Sequence, residues 1–315
     1  MRYMRDMPKI KRELLRGKSN TRGLVQKAHT ILSHNLLETF SIYFDNRNEF
    51  PIKLAITAII KNEAAYVKEW IEYHKLVGVS KFYLFDNESS DNLKDVLYPY
   101  IESGLVEYFV IKGKGKQLEA YQKAIKIAKN EAKWLAIIDL DEFILPLDSS
   151  KSIVQLLDEK KRSAMLIGWM IYGSNGYIEK QDGLVIDIFR KHATNDFIAD
   201  CKTIVNPRKV FRVVNPHYCI VAGKTTDENG KVLYQYPYTD RPEATPMPKQ
   251  RIRINHYYSK SWEEFERKSQ RGYADKSSNK RSKRNIASFK DHDQNKVADH
   301  YMDRYIRTLK KVLKV

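Results

Sequence analysis

An apolar run ends in paired aspartates near the middle of the chain, and it reads Trp134-Leu135-Ala136-Ile137-Ile138-Asp139-Leu140-Asp141-Glu142-Phe143. The apolar part predicts a buried strand over 134–140. Residues two apart in an extended chain lie on the same side, so the carboxylates of Asp139 and Asp141 meet at the carboxyl end of this strand. Such a pair favours a bound Mg²⁺ or Mn²⁺, which in turn would hold a diphosphate. The alternative is that these acids only cap a loop or helix.

Strands and helices alternate on the N-terminal side of this run. We predict strands at Ile52–Ile60, Lys81–Asp86 and Leu105–Ile111, and helices at Glu63–Val77, Asp91–Glu102 and Lys116–Ala132. Three strand–helix units in succession indicate a parallel sheet with right-handed crossovers. Open α/β sheets bind ligands at the carboxyl edge of their strands, which is where the aspartates fall.

The pattern changes after Pro146. Apolar segments without long helices between them predict strands at Ser163–Ile171, Gly183–Phe189, Ile204–Val214 and Arg251–Tyr258, and hence a mixed or antiparallel portion of sheet. A helix is expected over Ser261–Arg271, with Ser261 and Glu264 as a capping box, and a basic helix over Val297–Leu313. We therefore divide the chain into a basic helical N-terminal arm (1–50), a catalytic domain (51–258) and a basic C-terminal helical segment (259–315).

Composition excludes several classes of protein. The 315 residues are 42% apolar and 30% charged, which permits a sizeable core and excludes collagenous or wholly disordered chains. The longest apolar run, Ala164–Gly173, is well short of the roughly 18–20 residues that span a bilayer, so we expect no transmembrane helix. The first residues also lack the apolar region of a secretory signal. Two cysteines, Cys201 and Cys219, suit a reducing compartment, although their pairing is left open.

The net charge of +17 lies at the two ends of the chain. Residues 1–30 hold nine Lys/Arg against two acids and residues 249–315 hold nineteen against eight, while 31–248 hold 28 against 29. A nearly neutral body is not typical of a nucleic-acid groove, so no nucleic acid is expected, and the basic ends suit contact with an anionic membrane surface. The alternative is a solvated basic face kept for solubility. The cluster at 280–284 fits either phosphate binding or an exposed loop.

Two glycine-rich phosphate-binding motifs are incomplete in this sequence, because each lacks one required glycine. Leu118 stands where the dinucleotide fingerprint that begins at Gly113 needs glycine, and Tyr218 stands where a P-loop ending at Gly223 needs one. The chain has no Cys-x-x-Cys pair and no His-Glu-x-x-His, which argues against zinc chemistry. A Mg²⁺-dependent aspartyl phosphotransferase with Asp139 as nucleophile is a rival, although Phe143 stands where those enzymes carry a small residue.

Several short motifs, in this order and spacing, resemble one family. They are Lys61-Asn62-Glu63, Glu69-Trp70 with Tyr73-His74, Asp86-Asn87-x-Ser89-x-Asp91, Gln117 with Tyr121, Asp139-x-Asp141-Glu142-Phe143, Gly173-Ser174-x-Gly176, Lys202-x-Ile204-x-x-Pro207, Asn255-His256-Tyr257, Lys260-Ser261-x-Glu263-Glu264-Phe265 and Lys268-x-x-Arg271-Gly272. Over residues 54–275 the chain resembles glycosyltransferase family 92 and its bacterial family-2-like relatives, which have the GT-A fold. The resemblance implies an α/β fold with a Rossmann-like mixed sheet flanked by helices, with helical extensions at both ends.

The resemblance also implies a reaction and the residues that serve it. Such enzymes move a sugar from a nucleoside-diphosphate donor, here expected to be a UDP-sugar, to an acceptor hydroxyl, usually with inversion. The expected Mn²⁺ or Mg²⁺ ligands are Asp139, Asp141 and His256, with Asp141 acting in catalysis through the metal. The expected donor contacts are Asn62, Glu63, Asp86, Gln117, Asp139, Lys260, Lys268 and Arg271. Alternatives are that Glu63 and Asp86 are helix N-terminal acids and that the basic residues are solvated.

Two assignments depend on the acceptor, which is expected to be a glycan or a lipid-linked sugar. The general base has two candidates, Glu142 and Asp187. Trp169 and the loop 173–176 are expected on the acceptor side, the alternative for Trp169 being a buried strand position. A short chain without an anchor further suggests a bacterial enzyme of surface-polysaccharide or lipopolysaccharide assembly. It would act in the cytoplasm or peripherally on the inner face of the membrane; a basic nucleic-acid-binding protein is the non-enzymatic rival.

Overall fold

The computed structural model describes residues 9–237, 239, 244–271 and 285–315, so the basic cluster at 280–284 lies outside the described residues. The N-terminal arm forms two helices, α1 (Lys9–Leu32) and α2 (Leu36–Phe44). Asn35 caps α2 by accepting the backbone N–H of Glu38 at 2.7 Å. The helical arm expected from the sequence is present.

The following segment alternates strands and helices as predicted. In chain order it contains β1 (Ile52–Ile60), α3 (Ala64–Leu76), β2 (Lys81–Asp86), α4 (Leu93–Glu102), β3 (Val106–Val110), α5 (Gln117–Glu131) and β4 (Ala132–Ile137). The strands run parallel in the order β3-β2-β1-β4, with Ile60 opposite Asp86 and Thr57 opposite Ile137. Their carboxyl ends therefore meet at one edge, and Asp139 follows the last of them.

The second half completes a mixed sheet. It contains β5 (Glu142–Pro146), α6 (Ile153–Asp158), β6 (Ala164–Ile171), α7 (Val185–Ile188), β7 (Lys191–His192), β8 (Cys201–Val205), β9 (Val210–Asn215), β10 (Tyr218–Val221), β11 (Thr225–Thr226) and β12 (Ile252–His256). The sheet continues from β4 in the order β8-β6-β12-β5, in which β8 is antiparallel to β4 and β6, and β5 to β12. A mixed sheet flanked by helices confirms the predicted fold class.

Two predictions in this half are wrong. The segment Gly183–Phe189 is not a strand, because its centre is the short helix α7, whose first N–H groups at Val185 and Ile186 donate to the buried carboxylate of Glu69. The segment Ile204–Val214 is not one strand. Pro207 cannot donate to a ladder, and a 3₁₀ turn over Pro207–Lys209 separates β8 from β9.

The C-terminal segment adds α8 (Trp262–Arg271), α9 (Ile286–His292), β13 (Val297–Ala298) and α10 (Asp303–Leu313). The predicted capping box is present, since Glu264 N–H donates to Ser261 Oγ at 3.3 Å and Ser261 N–H donates to Glu264 Oε2 at 3.1 Å. The last helix begins at Asp303 rather than Val297, because Val297 and Ala298 pair with β7. Helix α10 then packs against α3.

Alternate residues of β1 face two layers of core. Leu54, Ile56 and Ala58 pack with Trp70 and other apolar residues of α3, whereas Ala55 and Ile59 face the side on which α5 packs. Burying both faces is typical of a parallel sheet covered by helices. Both cysteines are buried free thiols. Within the described ranges, no helix has the length and apolar composition needed to cross a bilayer.

Candidate active site

Strand register assembles the centre of the site. Glu142 begins β5 and lies opposite His256, the last residue of β12, and the backbone N–H of Tyr257 donates to the carbonyl of Asp141 at 2.9 Å. These pairings join two segments more than a hundred residues apart in the chain. As a result, Asp141, Glu142 and His256 each offer a ligand atom within 4.8 Å of the others.

The Asp141 carboxylate faces two cationic or polarisable partners. It accepts a short hydrogen bond from Lys268 Nζ, and its Oδ2 lies 3.6 Å from His256 Nε2. Lys268 is held in place by the carbonyl of Tyr258, at 3.1 Å, and by the ring of that tyrosine. Burial alone would raise the pKa of Asp141, but Lys268 and His256 outweigh it and hold that pKa well below its usual value. Asp141 is therefore ionised at neutral pH.

The imidazole of His256 is arranged as a neutral ligand. The residue is 4% exposed, and burial lowers its pKa despite the nearby charge of Asp141. Its ring contacts that of Trp169 at a tilt of 52°, with 4.1 Å between the ring centroids. Within the described part of the chain, His256 Nδ1 has no hydrogen-bond partner. A neutral imidazole is the form in which histidine binds a metal.

Asp139 is held by protein donors. Its Oδ2 accepts from Lys202 Nζ at 2.8 Å, and its Oδ1 accepts from Tyr121 OH at 3.1 Å and Gln117 Nε2 at 3.3 Å. Burial opposes ionisation of Asp139, but the charge of Lys202 outweighs it and lowers the pKa of Asp139. Gln117 thus contacts Asp139, and its predicted contact with the donor remains a prediction.

Lys202 is the site residue to which sequence reasoning gave no role. It lies on β8 with its side chain fully buried, 2.8 Å from Asp139 and 3.7 Å from Glu142. Burial disfavours its charge, but the two carboxyl groups outweigh this and raise the pKa of Lys202 well above its usual value. The available signal was a lysine inside the apolar strand Cys201–Val205, because a buried lysine requires a paired acid.

Glu142 is the most deeply buried carboxyl group of the site. Its Oε2 accepts the backbone N–H of Asp139 at 3.2 Å, whereas Oε1 has no hydrogen-bond partner among the residues described. Burial raises the pKa of Glu142 well above its usual value despite Lys202. A buried carboxyl oxygen that accepts no hydrogen bond from the described residues, beside a carboxylate and an imidazole, fits a divalent cation such as Mn²⁺.

The polar residues at the parallel edge serve mainly the loops there. Asp86 accepts from the backbone N–H of Ser89 at 2.9 Å, from Ser89 Oγ at 2.6 Å and from Tyr108 OH at 2.6 Å. Asn62 has a φ of 54° and accepts the N–H of Ser90 at 2.7 Å. Glu63 occupies the N-cap position of α3 without a side-chain capping bond. Their predicted donor contacts remain predictions.

The basic residues of the C-terminal segment are separated by the structure. Lys268 joins the site through Asp141, whereas the ammonium of Lys260 lies 3.2 Å from the centroid of the Tyr66 ring. The side chain of Arg271 lies outside the part of the structure that is described. Of the base candidates, Glu142 is within the ligand set. Asp187 instead pairs with Arg190 at 3.0 Å and Lys310 at 2.6 Å.

Asp141, Glu142 and His256 at the edge of a mixed sheet define a candidate metal-binding centre of an α/β enzyme. The family model for glycosyltransferase family 92 matches residues 56–303, which include every residue of that centre. The chain belongs to glycosyltransferase family 92.

The chain is similar to family 92 proteins of plants over part of their length. A family 92 protein from Ricinus communis is 23% identical over 237 residues, which is 72% of this chain and 38% of the relative. One from Oryza sativa subsp. japonica is 28% identical over 93 residues, which is 29% of this chain and 16% of the relative. The chain thus spans well under half the length of these plant relatives.

Among solved structures, S. aureus TarS (14% identity, 49% of this chain and 47% of that one) has a TM-score of 0.35. Glucosyl-3-phosphoglycerate synthase from Mycobacterium tuberculosis was solved with Mn²⁺ and uridine diphosphate. It is 19% identical, the match covers 38% of this chain and 44% of that one, and the TM-score is 0.27.

Proposed function

We propose that this chain is a metal-dependent glycosyltransferase that moves a sugar from a nucleoside-diphosphate donor to a hydroxyl group of a glycan or glycolipid. The observation that carries the proposal is the convergence of Asp141, Glu142 and His256 within 4.8 Å, in a chain that belongs to a glycosyltransferase family. Two carboxyl groups and a neutral imidazole are suitable ligands for Mn²⁺ or Mg²⁺. When bound, such a cation would neutralise charge on the departing diphosphate.

The other residues of the site prepare this chemistry. Lys202 keeps Asp139 ionised and fixes its position together with Tyr121 and Gln117. The ammonium of Lys268 lies at Asp141 and is supported by Tyr258, and it would contact donor phosphate oxygens beside the cation. Glu142 Oε1 accepts no hydrogen bond from the described residues, so this oxygen would serve as a ligand to the cation. Trp169 lies against His256 and would bound the acceptor side.

Finer features of the proposal rest on the sequence. A UDP-sugar donor and inversion at the anomeric carbon follow from the resemblance. Inversion requires a general base, for which Glu142 and Asp187 are the two candidates. A role in bacterial surface-polysaccharide or lipopolysaccharide assembly, in the cytoplasm or peripherally on the inner face of the membrane, also remains a proposal. The basic ends of the chain support contact with an anionic surface.

The decisive test is a screen of nucleoside-diphosphate sugars for release of free nucleotide. We expect at least one UDP-sugar to be turned over with Mn²⁺ or Mg²⁺, and turnover to stop when a chelator is added. Activity that is indifferent to chelation would contradict the metal. A covalent phosphate trapped on Asp139 would instead support the phosphotransferase reading, since that chemistry uses an aspartate as nucleophile.

A further inference from the structure

The N-terminal arm presents an apolar face that no described part of the fold covers. Around the turn between α1 and α2, Leu32, Leu36 and Leu37 are 84%, 87% and 86% exposed. Farther along α2, Phe40 and Phe44 are each more than 60% exposed, and their rings lie 4.3 Å apart. Large apolar side chains gathered in this way mark an interaction surface rather than scattered surface residues. We call these five residues the apolar patch.

The patch is held rigidly on the body of the protein. Ile42 is 3% exposed and packs with Leu166, Phe211 and Tyr218. Lys209 Nζ donates to the carbonyls of Ile42 and Tyr43 at 3.0 and 2.8 Å. At 100° per residue, Ile42 lies on the side of α2 opposite Leu36, Phe40 and Phe44. One face of α2 therefore anchors the helix and the opposite face points away from the protein.

Basic side chains accompany the apolar residues. On α1, the exposed residues Leu24 and Leu32 lie on one face at helical spacing, and Lys18 and Arg22 lie beside that face. An open groove of about 460 Å³ runs along the same helix and includes Arg22 and Arg212 in its lining. The sequence of residues 1–30 carries nine Lys/Arg against two acids. The net positive charge of this stretch favours an anionic partner.

We propose that the apolar patch and the flanking basic side chains of α1 form a docking face for an anionic lipid bilayer. Leucine and phenylalanine on one face with lysine and arginine beside it are typical of helices that lie in the membrane interface. Helix α2 has nine residues, too few to span a bilayer, so it lies along the surface. A second copy of the chain fits less well, because it would bring two strongly basic arms together.

Vesicle sedimentation tests this face directly, and it needs no enzymatic activity. We expect the protein to bind vesicles that contain phosphatidylglycerol and to bind pure phosphatidylcholine far less. In the variant Leu37→Ser/Phe40→Ser, partitioning should fall on the order of tenfold, because two apolar side chains no longer enter the lipid. The control Tyr98→Ser/Val110→Ser removes two other exposed apolar side chains, each 58% exposed, from α4 and β3 and should bind normally.

A probe at the patch covers the case in which the serine variant misfolds. Cys201 and Cys219 are buried, so a cysteine introduced by Leu37→Cys can be labelled with an environment-sensitive fluorophore. Its emission should shift to the blue and rise on addition of anionic vesicles, whereas the same label at Val110→Cys should not respond. An unresponsive label at position 37, equal binding to neutral vesicles, or a dimer that Leu37→Ser/Phe40→Ser converts to a monomer would each overturn the proposal. Nucleotide release measured without vesicles reports separately on the proposed function.

Discussion

The parallel half of the sheet (β3-β2-β1-β4) and the half that follows Asp139 differ in how their polar side chains are satisfied. In the parallel half, Asp86 accepts three hydrogen bonds and Asn62 fixes the neighbouring loop. In the second half, Glu142 Oε1 and His256 Nδ1 are buried without a hydrogen-bond partner in the described chain. The unsatisfied buried atoms of Glu142 and His256 thus distinguish the second half as the part of the sheet that can bind a ligand.

The largest effect is expected at Asp141. The variant Asp141→Asn removes the anionic ligand from the second half, so metal-dependent nucleotide release should fall by roughly three orders of magnitude. Circular dichroism should show an unchanged fold. The matched change in the parallel half, Asp86→Asn, should lower the rate less than tenfold. Equal losses in both variants would show that the two halves do not differ in this way.

Lys202 should dominate the stability of the second half. In the variant Lys202→Met, Asp139 is left partly buried without its cation, and we expect the free energy of unfolding to fall by about 3–5 kcal/mol in urea titrations. The double variant Asp139→Asn/Lys202→Met should recover part of this loss, because it removes the uncompensated charge. If Lys202→Met unfolds at the wild-type urea concentration, the buried ion pair does not stabilise the site.

In the parallel half, Asp86 should matter for stability more than for donor binding. The variant Asp86→Ala leaves Ser89 and Tyr108 without their acceptor, and it should lower the free energy of unfolding by about 2 kcal/mol. The exposed control Asp182→Ala should stay within about 0.5 kcal/mol of the wild type. A large rise in KM for the donor with unchanged stability would instead support the nucleotide-reading role that the sequence suggested.

At neutral pH the smallest effect is expected at His74, a buried residue of α3 whose contribution changes only as the pH falls. Its Nδ1 donates to the Trp70 carbonyl at 2.8 Å, and Nε2 accepts from Ile144 N–H at 3.3 Å. Burial lowers its pKa from 6.5 to about 3, so the unfolded state binds the proton more readily. Stability is therefore complete above pH 6.5 and falls as the pH drops towards 3.

The variant His74→Gln isolates this contribution. Its free energy of unfolding should decline less steeply between pH 6.5 and 3 than that of the wild type, by at most about 1.4 kcal/mol per pH unit. Urea titrations at several pH values measure the two slopes. Parallel slopes would mean that His74 does not titrate on unfolding.

How far the sequence predicts this protein also differs between the halves. Strands β1 and β2 have the predicted bounds, because apolar runs flanked by helices carry a local signal. Strand β5 and the helix α6 were not anticipated, and Gly183–Phe189 was predicted wrongly, because their conformations depend on distant partners. Glu142 pairs with His256, and Val185 is bound by Glu69, and such contacts leave no periodic trace in the sequence.

The candidate site shows the same limit. Asp141 and His256 could be named from motifs, but their grouping with Glu142 depends on the register between β5 and β12. The position of Lys202 beneath Asp139 depends on the antiparallel pairing of β8 with β4 and β6. Candidate ligand residues can therefore be predicted from sequence motifs, whereas the grouping of ligands from distant strands cannot.

Binding of Mn²⁺, followed by electron paramagnetic resonance with and without uridine diphosphate, tests the central claim most directly. The account predicts that the wild-type protein binds Mn²⁺ at a single site, that Asp141→Asn abolishes this binding, and that His256→Ala weakens it at least tenfold. Wild-type affinity in both variants would contradict a metal centre built from Asp141, Glu142 and His256.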